Sequence, residues 1–342
     1  EGHDDNQAAG ERGTHRLETA VSIYRGDFLE GFSLADSPAF EDWALVVRKR
    51  LEDQVLETLQ RLVAYDQKQG QLELAREADG VSIHSLSALA WDRDEAILYA
   101  VSDQARLYHF KPLFADGRLV SLDYLESHPL RGKDGDRLKG RKSDSEGAHV
   151  MHGDNGKQGD SEILVAFERD PRIERYSPDG NYLGKIKLPK ALRKVENYSA
   201  PNNALECVTW HPRYGVMTLP QKPQQDGHFL YAADGKRWPY AMTPMNDNEV
   251  VSLEVMQDGS LLVMERVFSP GLFGAVIITL RRAVIDDDRL ELTTVATLDS
   301  RDGWRLDNFE GLSRHEDDRF FIVSDNDKEM VRRTLLYYFT FE

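Results

Sequence analysis

DNFEGLSRHEDDRFFIVSDND, residues 307–327 of a 342-residue chain, has three parts. A Glu310-Gly311 pair opens a short apolar strand, and a charged turn, His315 to Arg319, follows. An unbroken apolar run, Phe320 to Val323, then ends on Asp325, Asn326 and Asp327. A short continuous apolar run bounded by turn residues reads as a strand buried on both faces. The unit to look for elsewhere is therefore strand, polar turn, apolar strand, carboxylate.

Four more segments fit over it: SLSALAWDRDEAILYAVSD (Ser85 to Asp103), DSEGAHVMHGDNGKQGDSEILVAFE (Asp144 to Glu168), NALECVTWHPRYGVMTLP (Asn203 to Pro220) and VSLEVMQDGSLLVMER (Val251 to Arg266). Their spacing leaves room for two outer strands per unit, such as Arg172 to Tyr176 with Tyr182 to Leu188, and Ala275 to Leu280 with Leu290 to Leu298. Four strands in roughly 45 to 60 residues is the arithmetic of a propeller blade. The fold expected for residues 80–342 is mainly β, a five- to six-bladed β-propeller.

Aligning the inner strands puts Glu146, Glu206, Glu254 and Glu310 at one position, with Ser87 as the exception. The ends of the second strands put Asp103, Glu168, Glu265 and Asp325 at another. Innermost strands line a propeller's channel, so these residues, with Asn308, are expected to form acidic rings near a channel mouth. Crowded carboxylates repel and must be protonated, paired with arginine or bound to a cation. A hard cation with oxygen ligands, Ca²⁺ above all, suits such a set. The metal ligands expected are therefore Asp103, Glu146, Glu168, Glu206, Glu254, Glu265, Asn308, Glu310 and Asp325. The catalytic carboxylates expected are Glu146, Glu206, Glu310 and Asp325. Arg169, Arg172 and Arg266 adjoin this set in sequence and are candidate clamps for phosphate oxygens. Asp325, Asn326, Asp327 and Glu329 lack the glycine and terminal glutamate of an EF-hand loop.

The first eighty residues have a different texture. Residues 1–15 are polar and are expected to be disordered. Residues 16–78 read as a small all-α module. Leu17, Ala20, Val21 and Tyr24 follow helical spacing, Ser37-Pro38 marks a helix start, and Phe40, Trp43, Val47, Leu51, Val55, Leu59 and Leu62 form one apolar stripe. Gly70 reads as a stop, with Leu72 to Ala75 opening another helix. Such a stripe needs a protein partner or self-association to cover it.

The whole-chain numbers narrow the classes. A net charge of -16 argues against a nucleic-acid backbone as partner. The one cysteine, Cys207, excludes an intrachain disulfide. No apolar run reaches the roughly 18 residues that a membrane span needs. The sequence holds no G-x-S-x-G elbow, H-E-x-x-H pair, P-loop or dinucleotide fingerprint.

Two resemblances follow from these motifs. DSEG (Asp144 to Gly147), ILVAFERDPRIERYSPDG (Ile163 to Gly180), NNALECVTW (Asn202 to Trp210), the opening stretch, and SALAWDRDEAILYAVSD (Ser87 to Asp103) together resemble the esterase-like, phytase-like propeller domain of bacteria. That resemblance implies a periplasmic or extracellular hydrolase acting on small phosphate or other esters. His149 departs from the pattern, which favours an aliphatic residue there. IYRGDFLEGF (Ile23 to Phe32) with Ala39 to Leu62 resembles part of the bacterial transcriptional activator domain, a TPR-like module. Its context is cytoplasmic, which makes that compartment the alternative. The function expected is Ca²⁺-assisted ester or phosphomonoester hydrolysis around the channel. The alternative is a non-catalytic ligand-sensing or scaffold propeller with a helical interaction module.

Overall fold

The apolar runs of the sequence are the second strands of five four-stranded blades, and each feeds two cores at once. A computed structural model describes residues 71–74, 77–78, 80–268, 275–326 and 334–341, with positions 37, 40, 43, 46, 47 and 49. Strand β1 (Gln71–Glu73) precedes a small hairpin, β2 (Glu77–Ala78) and β3 (Val81–Ser82). Blade A is β4 (Leu86–Asp92), β5 (Ile97–Ser102), β6 (Arg106–Ala115) and β7 (Arg118–Pro129). Blade B is β8 (Ser145–Met151), β9 (Glu162–Phe167), β10 (Arg172–Tyr176) and β11 (Tyr182–Lys185). Blade C is β12 (Thr209–His211), β13 (Gly215–Thr218), β14 (Phe229–Ala232) and β15 (Arg237–Pro239). Blade D is β16 (Glu249–Val255), β17 (Leu261–Phe268), β18 (Val276–Asp286) and β19 (Arg289–Asp299). Blade E takes β20 (Asn308–Arg314), β21 (Arg319–Asp325) and β22 (Leu335–Thr340) from the C-terminus, and β1 completes it as the outermost strand.

Alternation along β9 shows how the ring holds. Ile163, Val165 and Phe167 face the core shared with blade A, while Leu164 and Ala166 face the core shared with blade C. All five are fully buried. Leu261 and Val263 against Leu262 and Met264 divide the same way in blade D, as do Phe320 and Ile322 against Phe321 and Val323 in blade E. Side chains of successive residues point to opposite faces of a strand. A strand between two blades must therefore be apolar throughout, which is why these runs show no polar alternation. Five inter-blade cores result, and they close the ring.

The expectation for residues 16–78 needs correcting at its C-terminal end. Leu72 does not open a helix: Gln71, Leu72 and Glu73 pair antiparallel with Tyr337, Leu336 and Leu335. Leu72 and Leu74 pack with Ile83, Leu336 and Tyr338. The free edge of β22 and an uncovered apolar face outweigh the local preference of three residues. Positions 40, 43, 46, 47 and 49 are helical, and the Phe40 and Trp43 rings lie 5.7 Å apart. The rest of the expected helical module, and residues 1–15, lie outside the described residues. Among the described residues no helix is long and apolar enough to cross a membrane.

Candidate functional site at the carboxylate mouth of the channel

The five innermost strands share one irregularity. The β4–β5 ladder shifts between Leu86 and Ala88, β8–β9 between Ser145 and Gly147, β16–β17 between Val250 and Ser252, and β20–β21 between Phe309 and Gly311. In blade C the bridge Leu205↔Pro220 is likewise one residue out of step with Thr209↔Met217. The extra residue of each bulge is Ser87, Glu146, Val251 and Glu310, and Glu206 stands at the matching place. A bulge re-aims the side chain at its centre, and three of these five are glutamates.

The glycine after the glutamate has a specific reason to be there. A Cβ on Gly147 would lie 2.7 Å from Cys207 Cα and 2.9 Å from the Glu206 carbonyl oxygen. One on Gly311 would lie 2.7 Å from Val323 Cγ1 and 3.1 Å from the Ala88 carbonyl carbon. Neighbouring inner strands thus approach backbone to backbone beside each bulge, and the glutamate projects where no side chain follows it.

Bulge register also sets the next tier. Hydrogen bonds from the Asp103, Glu168 and Gln221 N–H groups to the Ser85, Asp144 and Ala204 carbonyls match the pairs Glu249↔Arg266 and Asn308↔Asp325. The residues at equivalent second-strand positions are therefore Asp103, Glu168, Gln221, Arg266 and Asp325. Blade D contributes a cation where three other blades contribute carboxylates.

Glu146, Glu168, Glu206 and Glu310 converge with Arg266 at this mouth. Asp144, Glu146 and Glu168 each offer an oxygen, and the three oxygens lie within 4.8 Å of one another. Burial pushes Glu146 and Glu206 well above the usual carboxylate range, and the neighbouring carboxylates push in the same direction. Burial pushes Glu168 up to about 7, although it accepts from the Ala204 N–H at 3.3 Å and shares a side-chain hydrogen bond with Glu206. Two carboxyl groups share such a bond only by holding a proton between them. Asp144 is raised by burial and partly offset by Arg169, whose Nε lies 3.2 Å from Oδ2. Arg266 is buried, and its Nη1 donates to Glu310 Oε1 at 2.7 Å and its Nη2 to Glu249 Oε2 at 3.1 Å. Lys222 Nζ lies 2.9 Å from the other Glu249 oxygen. Asn308 Nδ2 also donates to Glu310 Oε1, at 2.9 Å. Asn308 Oδ1 is buried and accepts no hydrogen bond.

Two residues expected in the rings stand elsewhere, both in blade D. Glu254 comes three residues after the bulge, level with Ala90, His149, Thr209 and Ser313. There its Oε1 accepts from Thr209 Oγ1 at 3.2 Å and lies 3.6 Å from His149 Nδ1. Those residues face the opposite mouth, where Ala90, His149, Glu254 and Ser313 help line a 360 Å³ cavity with Trp210 and Arg314. His149, the departure from the family pattern, is thus part of that second cavity, and burial pushes its pKa down. Glu265 is one residue out of register and points to the other face of its strand. Its carboxylate is fully buried and accepts from Tyr240 Oη at 2.6 Å, Asn248 Nδ2 at 2.8 Å and the Thr243 N–H at 3.0 Å. Burial alone would raise it, but these donors hold its pKa below the usual value. It pins residues 240–248 to blade D. The bulge in β16 leaves Val251 in the ring position and buries it between blades D and E, so the nearest glutamates of blade D are out of register with the ring.

The remaining expected residues divide. Asp103 and Asp325 sit at the ring level by register, Asp325 opposite Asn308. Asp327 and Glu329 lie outside the described residues. Arg169 is half exposed beside Asp144 and can reach a ligand at the mouth. Arg172 cannot: it is buried over the Phe167 ring at 3.7 Å and bonded to the Lys142 and Asp170 carbonyls and to Glu174. Asp144 and Glu249 were missed, although DSEG already placed Asp144 two residues before Glu146.

The profile of the family named Phytase-like, described as esterase-like activity of phytase, matches residues 81–328. No curated protein matches the chain. Among solved structures, a protein of unknown function from Bacteroides caccae is similar at 10% identity over 77% of this chain and 79% of its own, with a TM-score of 0.36. A gluconolactonase from Xanthomonas campestris is similar at 13% identity over 80% of this chain and 91% of its own, with a TM-score of 0.40.

Proposed function

Because the chain belongs to the phytase-like family, we propose that its carboxylate mouth is a Ca²⁺-assisted site hydrolysing phosphate or other esters of small molecules. The observation that carries this reading is the convergence of Asp144, Glu146 and Glu168 oxygens within 4.8 Å, all three with raised proton affinity. Clustered oxygen donors whose raised proton affinity marks charges short of partners fit a hard cation, and the Asn308 oxygen, which accepts no hydrogen bond, stands at the same tier by register. Asp144, Glu146 and Glu168 would hold the ion, with Asn308 and the ring-level Asp103 and Asp325 within the same tier. A bound Ca²⁺ would supply Lewis acidity to an ester oxygen and lower the pKa of a coordinated water.

The protein's own groups then divide the proton work. Glu310 has two donors on Oε1, Arg266 and Asn308, which fix its orientation, and its carboxylate would take a proton from water. Glu206, raised by burial, holds a proton that it can pass to the leaving oxygen. Arg169, half exposed beside Asp144, would bind an anionic substrate group. The cavity at the opposite mouth favours a second reading, in which that end senses a ligand without catalysis.

The test is an assay of the chelator-treated chain on p-nitrophenyl phosphate, p-nitrophenyl acetate and phytate, with and without Ca²⁺. Activity on at least one should require Ca²⁺. Glu206→Gln and Glu310→Gln should each lower kcat by roughly 10²- to 10⁴-fold with the fold intact. Glu254→Gln, at the other mouth, should leave it unchanged. Inactivity of the folded chain on all three substrates would leave the sensing or scaffold reading in its place.

A further inference from the structure

Blade A carries a second group of ligand-type side chains, on its outer half and away from the channel. His109 on β6 pairs with Glu126 on β7, and Leu107 pairs with His128. Cross-strand partners and residues two apart share a face, so His109, Glu126 and His128 meet on one side of the hairpin. Their donor atoms all lie within 4.8 Å of one another. His109 Nδ1 lies 3.4 Å from Glu126 Oε1, and His128 Nε2 lies 3.2 Å from Glu126 Oε2.

The tautomer of His109 is set from the neighbouring blade. Its Nε2 lies 3.0 Å from the Pro178 carbonyl oxygen, which can only accept, so Nε2 carries the hydrogen. Nδ1 of the neutral ring then presents a lone pair towards a carboxylate oxygen. Two acceptors facing each other at 3.4 Å need a proton or a metal ion between them. The turn that supplies Pro178 cannot drift: the Arg131 N–H donates to the Gly180 carbonyl at 2.9 Å, and a Cβ on Gly180 would lie 2.5 Å from the Pro129 carbonyl oxygen. A backbone carbonyl fixing the outer nitrogen of a histidine is the usual support of a metal ligand. On the other side, His128 Nε2 is a buried atom whose 3.2 Å approach to Glu126 Oε2 does not have hydrogen-bond geometry, and it has no other partner. Glu126 is half exposed, which leaves a route from solvent.

We propose that His109 Nδ1, His128 Nε2 and the Glu126 carboxylate form a binding site for a first-row divalent transition metal, Zn²⁺ foremost. Two imidazoles and one carboxylate are borderline donors that suit Zn²⁺ rather than Ca²⁺. Tetrahedral coordination at about 2.0–2.1 Å puts neighbouring donors roughly 3.3 Å apart, which the 3.4 and 3.2 Å contacts already match. The ion ties the two outer strands of blade A together at the point where the blade B turn rests on them. This site shares no residue with the carboxylate mouth, so it stands whether or not the hydrolase reading does.

The experiment is calorimetric titration of the tag-free full chain with Zn²⁺ in Ca²⁺-containing buffer, paired with the visible spectrum of the Co²⁺-loaded chain. One Zn²⁺ per chain should bind, with a Co²⁺ band of four-coordinate intensity. His128→Ala and Glu126→Gln, both at accessible positions, should each weaken Zn²⁺ at least about tenfold, since even supporting partners of metal ligands cost that much. They should also abolish the Co²⁺ band, while Glu310→Gln changes neither. No binding by the folded chain, or Zn²⁺ affinity that survives both blade A substitutions, would overturn the proposal.

Discussion

Gly311 shows how much one absent side chain can fix. The backbone of blade A passes close enough that a Cβ would meet both Val323 Cγ1 and the Ala88–Leu89 peptide. Val323 could give way, but the peptide cannot without moving β4. Gly311→Ala should therefore destabilise the propeller by about 1 to 3 kcal/mol, as overpacking does, measured by denaturant unfolding against wild type. A change below about 0.5 kcal/mol, the usual size of a neutral surface substitution, would show that the inter-blade approach is looser than described. The Glu-Gly pairs at 146–147 and 310–311 were legible in the sequence because both residues of the pair serve the bulge. Glu206-Cys207 was legible only by its place in the repeat. In blade D the signal failed: Val251 fills the ring position, and Glu254 and Glu265, three and one residues out of register, mimic it. A one-residue shift exchanges the faces of a strand. It turns Glu265 into a buried clasp for residues 240–248 and brings Arg266 to the mouth.

Among the elements, β1 is only three residues long and has the largest consequence. Three residues close the ring by pairing with β22, and Leu74 continues the contact through its N–H to the Thr334 carbonyl at 2.8 Å. Without them β22 would present an unpaired edge, and Leu336 and Tyr338 would lose the cover of Leu72 and Leu74. Unpaired strand edges invite association between chains. A chain beginning at residue 80 should thus be less stable than one beginning at residue 70 and should aggregate on heating. Light scattering during thermal unfolding of the two would show it, and equal melting temperatures would mean that closure rests on the blade E–blade A core alone. The other blades were legible from their apolar second strands, since a strand between two cores has to be apolar at every position. β1 was not, because an outermost strand of three residues needs only one or two apolar side chains, and QLELA reads equally well as helix. The contact that makes it a strand is more than 260 residues away in sequence, between Leu72 and Leu336.

At the scale of the whole molecule, the carboxylate mouth stores repulsion that pH and Ca²⁺ should reveal. Glu168 titrates near 7 in the folded chain against 4.5 for an unperturbed glutamate, and Glu146 and Glu206 are displaced in the same direction. A carboxylate raised on folding binds its proton more tightly in the native state. Its contribution to stability is complete below about pH 4.5 and is lost as pH rises through about 7. For Glu168 alone the loss is on the order of 3 kcal/mol, at about 1.4 kcal/mol per unit. The buried His109, His211 and His228 and the partly buried His149 and His315 work the other way, since desolvation lowers each of them. Their contribution grows as pH rises and is complete once the unfolded histidines deprotonate, near pH 6.5. A comparison of variants removes that background. In chelator-treated protein, Glu168→Gln should gain stability relative to wild type between pH 5 and pH 8, by up to roughly 3 kcal/mol. Ca²⁺ should compete with those protons, so it should raise the wild-type melting temperature more at pH 8 than at pH 5, and the Glu168→Gln temperature less at both. Melting curves of the two chains at the two pH values, with chelator and with Ca²⁺, decide the matter. If Ca²⁺ leaves wild type unchanged at pH 8, the mouth relieves its charge through protons and Arg266 alone. The carboxylate ring is then part of the scaffold, and the hydrolase reading loses its cation.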